Sequence, residues 1–332
     1  MLVCHSQQLA ATRRAFEIVR RPKALVHLAD VVCIPMKGFV QTEQMPTTPN
    51  TSLVEVRRVN GAHTVGTCDS VAVEDPLEIQ IAQERRGLRT IRSLSVTMRT
   101  PGHDGELAIG FLFGEGLLNQ RSDVAEIEFP EDAGNRVRIR LRPGVIVDLT
   151  HLDRNFYTTS SCGICGKASL EAVRRMARGA RPNEEVEFRV HASTIHKMPA
   201  RLLGSQRVFE RTGGLHAAGL FDCTGELCLL REDVGRHNAV DKVIGAEWLA
   251  GHIPIANRIL FVSGRASFEL VQKAVRASIP ILAAVGAPSS LAIELAEASG
   301  MTLLGFVRDD RFNIYSADCR ISNAEEAGVA LR

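Results

Sequence analysis

Apolar and polar positions along the chain follow two rhythms, and the change between them divides it. Between about residues 53 and 148 the short period dominates. Leu77-Glu78-Ile79-Gln80-Ile81 and Leu94-Ser95-Val96-Thr97-Met98 put alternate side chains on one face, which predicts half-buried antiparallel strands. Asp104-Gly105-Glu106 then opens a predicted helix through Leu107, Phe111, Leu112 and Leu118, with acidic residues in its first turn. Ile127-Phe129 and Val137-Ile139-Leu141 give two more strands around an Asp-Ala-Gly-Asn turn. The order strand, strand, helix, strand, strand predicts a small α+β roll.

From about 155 to 317 helix and strand signals alternate. A helix is predicted over about 164–178, strands at Ala217-Phe221 and Leu227-Leu230, and a helix from Arg236 to Leu249. Three further units follow: Ile259-Val262 into Phe268-Ser278, Ile281-Val285 into Ser290-Ser299, and Thr302-Val307 into Phe312-Tyr315. Continuous apolar runs such as Ile259-Leu260-Phe261-Val262 suit strands buried in a helix-covered sheet. The second region therefore reads as α/β. Residues 1–52 differ from both. Arg13, Arg14, Arg20, Arg21 and Lys23 make them basic, a short helix over 11–26 is conceivable, and a polar Thr/Pro/Asn tract closes them.

Composition narrows the function classes. The 332 residues are long enough to bury a core, and 45% hydrophobic with 23% charged is ordinary for a globular protein. A net charge of +2 gives no bulk field for nucleic acid. The longest apolar stretch, Ile279 to Ala296, is broken by Pro280, Gly286, Pro288 and Glu294, which excludes a membrane span there. Eight cysteines are too few for a disulfide-stapled scaffold of this length. With no apolar leader pattern at the N-terminus, the expected compartment is the reducing cytoplasm.

One cysteine pair carries chemistry. Ser160-Ser161-Cys162-Gly163-Ile164-Cys165-Gly166-Lys167 precedes a helical pattern through Ala168, Leu170, Val173 and Met176. Serines before such a pattern are cap residues, so both thiols fall near a helix N-terminus, where unpaired N–H groups favour a thiolate. A zinc site needs about four ligands, and only Cys223, Cys228, His216 and His237 offer themselves. A thioredoxin-like role expects a strand before the pair, where this chain has a polar loop. Inert buried thiols sit in apolar runs, unlike these. A nucleophilic, sulfur-handling cysteine fits best on chemistry.

The strand ends supply candidate anion sites. Ser263-Gly264-Arg265-Ala266-Ser267, Gly286-Ala287-Pro288-Ser289-Ser290 and Arg308-Asp309-Asp310-Arg311 each follow a predicted strand, where open α/β sheets bind ligands. None is a Walker A or GxGxxG sequence. The densest polar stretch is Arg231-Glu232-Asp233-Val234-Gly235-Arg236-His237-Asn238-Ala239-Val240-Asp241-Lys242. There Asp233 is a candidate helix cap, and His237 with Asp241, or Asn238 with Lys242, share a face. The competing reading is a solvated helix start.

Taken together, Cys162-Gly163-Ile164-Cys165-Gly166, Thr212-Gly213-Gly214-Leu215-His216, the 232–242 stretch, Ser263-Gly264-Arg265, Gly305-Phe306, Met98-Arg99-Thr100-Pro101-Gly102 and Glu106-Leu107-Ala108-Ile109-Gly110-Phe111-Leu112 resemble the FdhD/NarQ family of formate dehydrogenase accessory proteins. The resemblance spans about residues 55 to 318. It implies a sulfur carrier that accepts sulfur from a cysteine desulfurase as a Cys162 persulfide, with Cys165 as helper. The sulfur goes to the molybdenum cofactor, bis-molybdopterin guanine dinucleotide, which is a bound substrate destined for formate dehydrogenase; no permanent metal is expected. Phe306, Val307, Arg308, Asp309, Asp310 and Arg311 correspond to the family's cofactor loop, and Ser263, Gly264, Arg265 and His237 complete the expected cofactor-binding set. The implied fold is a cytidine-deaminase-like α/β domain over 151–318 after a ββαββ roll over 53–150. A disordered extension (1–52) and a tail (319–332) flank them, and a homodimer with no nucleic-acid or membrane partner is expected. The deaminase zinc signature, His-x-Glu with Pro-Cys-x-x-Cys, is absent, which argues against deamination. A non-catalytic cofactor-binding chaperone is the alternative.

Overall fold

Strand β1 (Thr51–Asn60) turns at Gly61-Ala62 into β2 (His63–Ala72), an antiparallel ribbon in register from Thr51↔Ala72 to Asn60↔His63. A computed structural model of the chain describes residues 50–130, 135–147 and 188–322. The ribbon is wet on both faces, so its sequence carries no buried alternation to announce it. Next come β3 (Asp75–Arg85) and β4 (Leu88–Arg99), joined by Arg86-Gly87, both at positive φ as a two-residue hairpin demands. Helix α1 (Asp104–Gly114), β5 (Val124–Glu128) and β6 (Arg136–Leu141) complete the expected order. They form a sheet ordered β4-β3-β6-β5, parallel only between β3 and β6.

The helix expected to reach Leu118 stops at Gly114. Gly116 takes φ +82°, and the Leu117 and Leu118 N–H groups turn back to Leu112 O, which closes the helix end.

Two helices between residues 192 and 212 gave no sequence signal. After β7 (Val190–His191) comes α2 (Ala192–Ser205), capped by His191 Nδ1 accepting from Ser193 N at 3.2 Å; α3 (Arg207–Thr212) follows. Pro199 inside α2 removes a helical donor, and only Ile195, Met198 and Leu202 are buried, which hides its periodicity.

The main sheet collects the remaining strands. These are β8 (His216–Phe221), β9 (Leu227–Asp233), β10 (Ile259–Val262), β11 (Ile281–Ala284), β12 (Thr302–Gly305) and β13 (Asn313–Ser316). Helices α4 (Arg236–Ala250), α5 (Phe268–Arg276) and α6 (Ser290–Ser299) alternate with them. The order is β13-β12-β11-β10-β8-β9, with β10, β11 and β12 parallel and the other neighbours antiparallel. Both faces are covered. Leu260 and Val262 join a core with α1, α4, α5 and the four-stranded sheet, whereas Ile259 and Phe261 pack with Ile195, Met198 and Leu202 of α2. At the end, β14 (Ile321–Ser322) pairs in parallel with β7.

Helix α1 crosses α4 with backbones in contact. A Cβ at Gly110 would lie 1.9 Å from Asp241 O, and one at Gly245 would lie 1.9 Å from Glu106 O. Only glycine permits this approach. It brings the start of the 232–242 stretch against Met98-Arg99-Thr100.

Candidate functional site: the strand ends of the main sheet

The C-terminal ends of β10, β11 and β12 are stitched together through their turns. Gly286 N donates to Gly264 O at 2.9 Å, and Phe306 N donates to Gly286 O at 3.1 Å. A Cβ at Gly286 would come within 2.9 Å of Arg265 Cγ, and one at Gly305 within 2.9 Å of Pro288 Cδ and Tyr315 Cε2. The three turns predicted as anion sites thus form one continuous rim. Ser289 caps α6, its Oγ accepting from Ala292 N at 3.3 Å. Ser263 is occupied locally, its Oγ accepting from Ala217 N at 2.9 Å. Arg265, Phe306, Arg308, Asp309, Asp310 and Arg311 are exposed, while Val307 is buried in the core beneath them. Phe306 takes φ +52° with its ring 44% exposed, a strained posture for an aromatic residue. Arg308 Nη1 donates to Val285 O at 2.7 Å and Val307 O at 2.8 Å, so it is held beside the second turn.

His216 begins β8, which runs antiparallel to β10 and so starts at the same rim. Gly264 lies beside it: a Cβ there would stand 3.4 Å from His216 Nδ1 and 3.7 Å from Arg236 Cδ. Burial and the Arg236 charge hold the His216 ring below the usual imidazole range. His237, on the first turn of α4, has Nε2 3.3 Å from both Ser267 Oγ and Glu269 Oε2. Its titration is lowered to about 3, by burial first and then by Arg236, Lys273 and His216. The Glu269 carboxylate would favour a charged ring, but Lys273 Nζ, 3.8 Å from the same carboxylate, draws on that charge. His237 is therefore a neutral ring at physiological pH.

Most of the 232–242 stretch proves to be scaffolding, which corrects two expectations. It is not a solvated helix start, and Asp233 is not the cap of α4; Gly235 holds that position. Asp233 is fully buried, 2.7 Å from Lys242 Nζ, and accepts from Thr100 N, Gly235 N and Asn238 Nδ2. Lys242 also donates to Thr100 O at 2.9 Å, and Asn238 to Met98 O at 2.8 Å. Asp241 pairs with Lys273 at 2.7 Å, and that buried pairing raises the lysine's affinity for its proton. Glu232 accepts from Val208 N and Phe209 N at the start of α3. Only Arg236 and His237 face the rim chemistry. Sequence reading passes over Arg236 because nothing in the letters says which cations meet no carboxylate among the described residues.

Cys162 and Cys165 lie outside the described residues, as does the helix predicted over 164–178. Among the described residues, no group of three or more His, Cys, Asp or Glu is placed to hold a metal. Cys68, Cys223, Cys228 and Cys319 are exposed free thiols. No helix among the described residues is long and apolar enough to cross a membrane.

The fold and site define a mixed α/β protein with an arginine-lined rim at the ends of its parallel strands. Residues 72–322 match the FdhD/NarQ family, and the chain belongs to it. Sulfur carrier protein FdhD of Streptomyces avermitilis is 49% identical over 261 residues, covering 76% of this chain and 89% of the relative. The protein of that name from Sulfolobus acidocaldarius is 43% identical over 268 residues, 81% of this chain and 97% of the relative. In fold, the chain is similar to the crystal structure of a Desulfotalea psychrophila protein proposed as a formate dehydrogenase accessory protein. That likeness has a TM-score of 0.62 at 24% identity and covers 82% of this chain and 100% of the other.

Proposed function

We propose that this chain is a sulfur carrier in formate dehydrogenase maturation, taking sulfur on Cys162 and passing it to the molybdenum cofactor. The observation that carries this reading is kinship: relatives named sulfur carrier protein FdhD align over most of the chain at 43–49% identity. The rim adds support. A guanine dinucleotide is anionic, and Ser263-Gly264-Arg265 with Phe306-Arg311 bring arginines and free backbone to strand ends, where α/β sheets take such ligands. Under this reading the main sheet is the cytidine-deaminase-like domain, the protein works in the cytoplasm, and it pairs as a homodimer.

In the first step the Cys162 thiolate attacks the outer sulfur of a cysteine desulfurase persulfide. A new S–S bond forms at Cys162, the donor's S–S bond breaks, and the donor cysteine leaves as a thiolate. In the second step the outer sulfur moves to molybdenum. The S–S bond breaks, Cys162 leaves as a thiolate, and the reduced metal of the substrate supplies the electron pair. Cys165 serves as relay.

The test is Cys162→Ala, incubated with cysteine and a desulfurase. The wild-type chain should gain one sulfur, about 32 Da, mapped to Cys162, whereas the variant should gain none and should not support formate dehydrogenase maturation. Undiminished maturation by Cys162→Ala overturns the reading. If an Arg308→Ala/Arg311→Ala double variant were then inactive, a cofactor-handing chaperone would replace it.

A further inference from the structure

The β1–β2 ribbon is a sheet of two strands, and among the described residues no third strand pairs with it. Helix α3 packs against β2, so β1 is the outer strand. Val73 N donates to Asn50 O at 3.0 Å, which turns the backbone of the even-numbered β1 residues toward β2. The alternation of an antiparallel ladder then aims the N–H and C=O groups of Thr51, Leu53, Glu55, Arg57 and Val59 outward. Natural edges are blunted by proline, lysine, bulges or short length. Strand β1 runs for ten residues without proline, lysine or glycine, and its register with β2 never shifts. Leu53 on it is 77% exposed and Val59 64%. An edge so open is a template for another strand.

The side chains along β1 select which strand fits. Laid antiparallel to itself about a two-fold axis through Val56, β1 sets Glu55 opposite the partner's Arg57 and Leu53 opposite the partner's Val59. The axis repeats each match, and Val56 meets its own counterpart at the centre. In this register the odd-numbered residues, whose backbone groups face outward, fall on the hydrogen-bonded positions. The neighbouring symmetric registers fail. With the axis at Glu55, two carboxylates oppose each other and Leu53 faces the partner's Arg57. With the axis at Arg57, two guanidiniums oppose each other and Glu55 faces the partner's Val59. The register centred on Val56 alone among the three satisfies charge and apolar contact together.

We propose that the outer edge of β1 is the surface on which two copies of this chain join, making a continuous four-stranded antiparallel sheet ordered β2-β1-β1-β2. This deepens the homodimer of the proposed function and rests on that reading only for pairing as such; the place and the register come from β1 itself. The contact is isologous and uses up the edge on both copies, so association stops at two. About eight main-chain hydrogen bonds form across it, and the Glu55–Arg57 and Leu53–Val59 matches set the register.

The experiment follows the monomer–dimer equilibrium of the full chain by sedimentation. Glu55 and Arg57 are exposed, so their substitution leaves the fold of each copy intact. Glu55→Arg and Arg57→Glu each place like charges opposite one another at both symmetry-related positions, and each should weaken the dimer by about tenfold or more. The double variant Glu55→Arg/Arg57→Glu exchanges the charges and should regain wild-type affinity. A dimer that ignores both single variants, or that the double variant fails to restore, overturns the proposal and leaves the homodimer to another surface. A monomeric wild type overturns both. A second measurement reads the register. Under oxidation Val56→Cys should link two copies through the introduced thiols, since opposed residues at such a position have Cα atoms about 4.5 Å apart. Arg58→Cys, which faces the partner's Val54, should not. Peptide mapping separates this link from any made by the exposed Cys68, and equal linking of both variants overturns the proposal. Persulfide labelling of Cys162 is read separately: its failure removes the sulfur-carrier reading and leaves the dimer in place.

Discussion

The crossing of α1 with α4 and the rim at the ends of β10, β11 and β12 share one helix, yet they handle charge in opposite ways. At the crossing, Asp233, Lys242, Asn238 and Thr100 are buried and satisfy one another, and Asp241 closes on Lys273. At the rim, Arg236, Arg265, Arg308 and Arg311 find no carboxylate among the described residues, although Asp309 and Asp310 are adjacent in sequence. The contrast separates two uses of charged residues within a single motif. Charges spent on each other fix the geometry of the helices. Charges left over mark where a ligand is met. The scaffold half is what makes the second half work, because α4 can present Arg236 at the rim only if its first turn is pinned to β4 and α1.

The largest effect should come from breaking the pinned half. Lys242→Met removes one partner of a buried pair and strands Asp233 without its counter-ion. Stability should fall by about 3–5 kcal/mol, read as a lower denaturant midpoint. A loss below about 1 kcal/mol would mean that Asp233 is not buried as a charge, and the contrast with the rim would collapse. Next in size is Gly110→Ala. Its new methyl would meet the Asp241 carbonyl, a backbone atom that cannot swing aside, at a spacing of 1.9 Å in the present packing. Helices α1 and α4 must move apart, at a cost of about 1–3 kcal/mol. Ser52→Ala on the exposed ribbon is the control for an ordinary surface change.

How far these features can be read from sequence depends on where the partner lies. Strands β3, β4, β10 and β11 are legible because a sheet face or a buried run writes its period directly into the letters. The β1–β2 ribbon is not, since with both faces wet nothing selects its side chains. Helix α2 is obscured by Pro199 and by its short buried stripe. The strand-end turns of the candidate site are legible from Ser, Gly and Arg after apolar runs. The fate of each charge is not. Asp233 reads locally as a helix cap, and its bond to Thr100, 133 residues earlier in the chain, appears only when the two regions are packed together. Arg236 poses the reverse problem: its Nε is buried without a hydrogen-bond partner and it meets no carboxylate among the described residues, which only three dimensions can show.

His237 stands on the boundary between the two regions, and its protonation decides to which it belongs. Its ring is half enclosed by Ser267 and Glu269 on the core side and near Arg236 on the rim side. A folded value of about 3 lies below the ordinary 6.5 of a free imidazole. The unfolded chain then binds a proton that the folded chain refuses. The contribution of His237 is thus present above about pH 6.5 and is lost as pH falls toward about 3, by up to about 1.4 kcal/mol per pH unit. Chemical denaturation between pH 7 and pH 5 should show this slope in the wild type and a shallower one in His237→Gln, whose amide can keep the bond to Ser267. If the two slopes coincide, the ring accepts its proton normally in the folded chain. His237 would then count among the rim's cations, and the line between spent and unspent charge would have to be drawn one residue further into α4.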